Sequence, residues 1–89
     1  MKSYIVTFET SSDASRNKLR DEMKKFGSYC PIHKYCWAIV TDKSAKEIRD
    51  FLSPNLANDE RIFVVRSGTE AAWRNSYGEK HNEWLKENL

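Results

Sequence analysis

Seven residues constrain this chain more than any others: Tyr35-Cys36-Trp37-Ala38-Ile39-Val40-Thr41. Aromatic and β-branched residues run together and stop at the polar Asp42-Lys43-Ser44, which is the composition of a strand. Alternation puts Tyr35, Trp37 and Ile39 on one face and Cys36, Ala38 and Val40 on the other. Both faces are apolar, so this strand belongs in the middle of a sheet covered on two sides. A chain of this size buries only about 60% of its unfolded surface. One cover must come from its helices, and the other from its tail or a second copy.

The flanking segments supply the rest of a sheet. Ser3 to Glu9 reads as a first strand, with Tyr4, Val6 and Phe8 on one face and Ile5 and Thr7 on the other. Thr10-Ser11-Ser12-Asp13 offers several helix caps. The spacing of Leu19, Met23 and Phe26 then predicts a helix to about Phe26, stopped by Gly27. Ser28 to His33 is a weaker strand whose Pro31 cannot donate to a ladder, so it belongs at an edge or carries a bulge. A tight connection at His33-Lys34 leads into the central strand.

Ser44-Ala45-Lys46-Glu47 is a capping box for a second helix, with Ala45, Ile48, Phe51 and Leu52 expected to face inward and Pro54 at its exit. A polar loop, Asn55 to Glu60, precedes a fourth strand from Arg61 to Arg66, again apolar on both faces. The order βαββαβ with right-handed crossovers predicts an α+β, ferredoxin-like sandwich: a four-stranded antiparallel sheet in the order 4-1-3-2, two helices on one face, and a short C-terminal helix. All 89 residues are expected to form one domain, with 68–89 as a helical tail. In that tail Thr69 to Trp73 reads as a helical turn, Arg74 to His81 as a loop, and Asn82 to Leu89 as a terminal helix. Trp73, Trp84 and Leu85 are the candidate interface residues, folding onto the core or onto a partner subunit.

Composition narrows function less than fold. Fifteen basic and 13 acidic residues leave a net charge of +2, too balanced to argue for nucleic acid except through where the charges fall. The first residues enter a strand without a signal-peptide core, and no apolar run approaches membrane-spanning length. A cytoplasmic protein with no membrane association and reduced thiols is therefore expected.

Three constellations could carry chemistry. Glu9 at the end of the first strand, with Asp13 four residues on, could bind Mg²⁺, although acidic strand ends are ordinary. Cys30, His33 and Cys36 are zinc-type ligands that only His81 could complete; packing thiols are the default, and a Cys30–Cys36 bridge does not suit a reducing compartment. Tyr4, Phe8, Tyr35 and Trp37 share parity on two neighbouring strands, as do the base-stacking aromatics of RNA-recognition domains, but they could equally form a core or a dimer interface. On the first helix Arg16, Arg20 and Lys24 form a basic row. It is either a solvated surface or, with Arg61 and Arg66, a set of phosphate contacts. There is no glycine-rich phosphate loop and no nucleophile elbow.

The opening Tyr4-Ile5-Val6-Thr7-Phe8-Glu9 resembles the first strand of small ferredoxin-like proteins of the SinR-like group. These are similar in turn to the CRISPR-associated protein 2 family and the VapD toxins. The resemblance continues through Trp37 to Ala45, Ile48-Arg49-Asp50, Phe63-Val64-Val65, Glu70 to Trp73, Trp84-Leu85-Lys86 and Asn88-Leu89. It implies a homodimer packed through the sheet or its fourth strand and tail, acting as a nucleic-acid-binding scaffold or a metal-dependent nuclease. In the CRISPR family the functional carboxylate is an aspartate; the matching residue here is Glu9, which is longer and would displace a metal.

The expectation is thus a dimeric module associated with DNA or RNA and needing no cofactor. The alternatives are a Mg²⁺-dependent nuclease using Glu9 and Asp13, and an adaptor for a protein partner that docks on Trp73 or Trp84.

Overall fold

The computed structural model describes residues 1–89. Its elements are β1 (Lys2–Glu9), α1 (Asp13–Met23), β2 (Ser28–His33), β3 (Cys36–Thr41), α2 (Ala45–Leu52), β4 (Arg61–Arg66) and α3 (Glu79–Asn88). The strands form one antiparallel sheet in the order β2-β3-β1-β4, the expected order read from the other edge. This α+β arrangement, with three helices, is compatible with a ferredoxin-like fold. No helix is long and apolar enough to cross a membrane.

The β1–β3 ladder sets the core. Tyr4 lies opposite Ile39 and Val6 opposite Trp37, so the large side chains of both central strands emerge on one face. There they pack with Leu19 and Met23 of α1 and with Ile48 and Leu52 of α2 in a single buried cluster. Burial in the core therefore claims Tyr4, Phe8 and Trp37, and these aromatics are not an open stacking surface for bases. Tyr35 falls just outside β3, in the turn.

Local signals place both helices. Ser12 caps α1 by accepting from the Ser15 amide at 3.1 Å. At α2 the expected box is complete: Ser44 Oγ accepts from the Glu47 amide at 3.1 Å, and Glu47 Oε1 accepts from the Ser44 amide at 3.0 Å. The last turn of the first helix, Lys24–Phe26, tightens to a 3-10 turn before Gly27, whose φ of +88° is one that a side chain would strain. Phe51 does not face inward as its spacing suggests. It is 41% exposed and sets its ring against the edge of Phe26 at 5.4 Å, joining the ends of the two helices at the rim of the core.

The other face of the sheet gets its cover from the tail. Leu85 of α3 is buried against Cys30 and Ala38, and Ile5, Ile32, Trp73, Trp84 and Leu89 pack around them. Trp84 donates its indole N–H to Ser28 Oγ at 3.3 Å, and Ser3 Oγ donates to the Asn88 carbonyl. The expected helical turn at 69–73 does not form; residues 67–78 carry no regular secondary structure. An irregular path lets Trp73 reach the sheet and donate to Asn82 Oδ1 at 3.0 Å, which a helix there would compete with. Helix α3 starts at Glu79, three residues earlier than expected, directly after Gly78 turns the chain at φ +140°.

The cluster around α3 draws on β2, β3 and Ile5 of β1. On that side of β4, Phe63 is 63% exposed and Val65 45% exposed. The opposite edge, β2, is irregular as expected, with a register shift between Pro31 and His33.

Leu85→Ala should lower the unfolding free energy by about 2–5 kcal/mol, the range for an emptied leucine site in a packed core. It should also loosen α3 over Cys30. Urea denaturation, with mass-spectrometric readout of thiol labelling, should show a lower midpoint and faster modification of Cys30.

Candidate anion-binding site

Helix α1 is pinned at its start by a carboxylate from the far side of the chain. Glu60 Oε2 accepts from the Ser11 amide at 2.6 Å and from Ser11 Oγ at 2.9 Å, while its Oε1 accepts from the Ala57 amide at 2.7 Å. These bonds favour the ionised form and hold the Glu60 carboxyl below its ordinary value, the amides of Ala57 and Ser11 being the largest causes. The loop before β4 is thereby tied to the cap of α1, which fixes where Arg16 and Arg20 stand one turn apart.

Both arginines face the β2–β3 connection. The Arg20 guanidinium carbon lies 5.9 Å from the Trp37 ring centre, and the Arg16 side chain is only 19% exposed. From the connection come His33 and Lys34; His33 Nδ1 accepts from the Tyr35 amide at 3.2 Å, and the Tyr35 carbonyl accepts from the Phe8 amide at 3.0 Å. These four basic side chains line a cleft of about 250 Å³, whose remaining walls are Pro31, Trp37 and Tyr77. No carboxylate lines it. Arg16 has one ionic partner, Asp13 at 3.6 Å, and its Nε is buried without a hydrogen-bond partner.

The five basic residues singled out in the sequence are thus divided. Arg16 and Arg20 converge in the cleft, whereas Lys24 sits in the 3-10 turn and does not line it. Arg61 and Arg66 occupy opposite ends of β4, about 17 Å apart for five residues of strand. Arg61 is engaged by Glu9; with both side chains largely exposed, that pair contributes about 0–1 kcal/mol. Lys34 and Tyr77 carry no role in the sequence pattern, and His33 figures there only as a zinc-type ligand. Lys34 and His33 stand out as a basic hairpin tip only once Arg16 is known to face them, and no local signal brings Tyr77 there from the tail.

The carboxylates and thiols do not assemble into a metal centre. Glu9 is held by Arg61 and Asp13 by Arg16. No group of three or more His, Cys, Asp or Glu is placed to hold an ion. Cys30 and Cys36 are both buried free thiols, and burial pushes both up from the ordinary thiol range, while His33 is exposed. Trp73, Trp84 and Leu85 pack against the chain's own sheet.

No protein-family model matches this chain, and a search of curated proteins finds no match.

Glu60 gives the site a pH dependence with a defined sign. Its folded pKa lies below its unfolded one, so its stabilising effect is complete above the unfolded value of about 4.3 and is lost as pH falls through the folded value. Glu60→Gln should therefore be less stable than the parent near pH 7. In urea titrations the gap between the two should narrow as pH drops below about 4. An equal gap at all pH values would mean that Glu60 acts by packing alone.

Proposed function

We propose that this chain is a nucleic-acid-associated module of ferredoxin-like type, gripping phosphates at the edge where α1 meets the β2–β3 connection. The observation that carries this is the cleft itself: Arg16, Arg20 and Lys34 around one concavity with no carboxylate in its wall. Arginine suits this task because its planar fork donates two hydrogen bonds to one phosphate. Partial burial keeps such contacts from being fully screened. The resemblance to the CRISPR-associated protein 2 family agrees in direction, while the pairing of Glu9 with Arg61 favours binding over cleavage.

The working unit is proposed to be a homodimer joined through β4, on the strength of Phe63 and Val65 standing exposed on an open edge strand. Two such strands pairing antiparallel about Val64 keep like faces together. They set Phe63 opposite the partner's Val65 and Arg61 opposite the partner's Ser67, so no arginines collide. Light scattering at tens of micromolar, roughly the level at which an interface of standard size persists, should report a dimer, and Phe63→Asp should report a monomer. A monomeric parent protein would remove the dimer and leave the phosphate contacts standing.

Binding is tested by anisotropy with labelled single- and double-stranded DNA and RNA over a range of salt, with Mg²⁺ present. Affinity should fall steeply with salt. Arg20→Gln and Lys34→Gln should each reduce the log–log slope for single strands by about 0.7, with Lys24→Gln close to the parent. Running the same samples on a denaturing gel tests the nuclease that the resemblance implies: cleavage that Glu9→Gln abolishes would replace the binding module by an enzyme. No binding to any strand would end the nucleic-acid proposal.

A further inference from the structure

The charge count of the cleft says more than that it attracts phosphate. Arg16, Arg20 and Lys34 bring three positive charges, and Asp13 at 3.6 Å from Arg16 offsets one, leaving a surplus of two. Neither remaining cation is neutralised. The polar partner of Arg20 is the amide oxygen of Asn17 at 3.5 Å, and the Lys34 ammonium lies 5.7 Å from the Tyr35 ring. Cations gathered in a partly buried place repel one another unless an anion joins them.

A phosphodiester within a strand carries one negative charge, whereas a terminal phosphate monoester carries about 1.5 to 2 near pH 7. The surplus matches the monoester. Donor chemistry agrees: the Arg20 guanidinium, the Lys34 ammonium and the part of Arg16 not turned to Asp13 suit the three free oxygens that only a terminal phosphate presents. His33 adds a fourth donor, because its Nδ1 already accepts from the Tyr35 amide and its proton is therefore assigned to Nε2.

Shape points the same way. The cleft, about 250 Å³, has its basic groups on one side and Tyr77 on another, so a phosphate held by the cations leaves the adjoining base toward Tyr77. Tyr77, 58% exposed, offers an aromatic face of the kind on which unpaired bases stack. Trp37 is fully packed in the core and serves only as wall.

We infer that this cleft is an end-binding site: it takes the terminal phosphate monoester of a single strand, or of a free mononucleotide, with the adjoining base laid on Tyr77. This rests on the nucleic-acid reading above but can fail or survive apart from it. The test compares oligonucleotides of one sequence carrying a 5′-phosphate, a 3′-phosphate or hydroxyls at both ends, and compares AMP with adenosine and inorganic phosphate as competitors.

One phosphorylated end should bind at least tenfold more tightly than the hydroxyl strand at physiological salt, and AMP should compete where adenosine does not. Tyr77→Ala should weaken AMP several-fold and leave inorganic phosphate unchanged; Lys34→Gln should weaken both. Both side chains are exposed, so thermal unfolding should confirm that the variants fold. Strands that bind with steep salt dependence but ignore the terminal phosphate would overturn end binding and leave the general phosphate grip. AMP that binds while no strand does would keep the site and sink the nucleic-acid role. Failure of every ligand would remove both.

Discussion

Everything in this molecule depends on the antiparallel ladder between β1 and β3. Tyr4 against Ile39 and Val6 against Trp37 put the aromatic bulk of both central strands on one side, and leave Thr7, Cys36 and Ala38, with Ile5 and Val40, on the other. A sheet so divided asks for two different covers. Its bulky side takes a pair of amphipathic helices that bring Leu19, Met23, Ile48 and Leu52. On the other side Ala38 leaves room for one helix to lie close, so Leu85 reaches Cys30 and Ala38 directly.

The same ladder indirectly positions the cleft. Because Trp37 is turned toward α1, the hairpin leading into β3 comes up beside Arg16 and Arg20 rather than pointing away from them. The Tyr35 carbonyl is bonded to the Phe8 amide, which ties the hairpin tip to β1, while Glu60 ties the start of α1 to the loop before β4. Two rigid tethers at one end of the sheet hold basic groups from distant parts of the chain at close range. Such preorganisation lowers the ordering cost that an anion would otherwise meet.

Signals that act over a few residues were legible in the sequence. The capping box at Ser44, the stop at Gly27, the irregular edge around Pro31 and the strand order all follow from local chemistry and chain direction. What could not be read depended on which segments meet. Phe51 looks like a core residue by its spacing, yet its place at the rim is set by where Phe26 ends the first helix. Glu70-Ala71-Ala72 favours a helix by propensity, but Trp73 forms a better contact with the sheet and with Asn82, and tertiary packing prevails. Basic residues were countable on α1, whereas their grouping with Lys34 and Tyr77 is a property of the folded chain alone.

The two outer strands of the sheet differ in a way that bears on assembly. On β2 the proline at position 31, with no amide hydrogen to give, and the slipped register beside it make a poor template for another strand. On β4 the ladder positions are regular and four apolar residues lie between two arginines. Growth by strand addition is therefore open in one direction only. In the proposed pairing through β4, Pro31 and its slipped register would stand at both outer margins, where they offer a third chain no regular ladder to join.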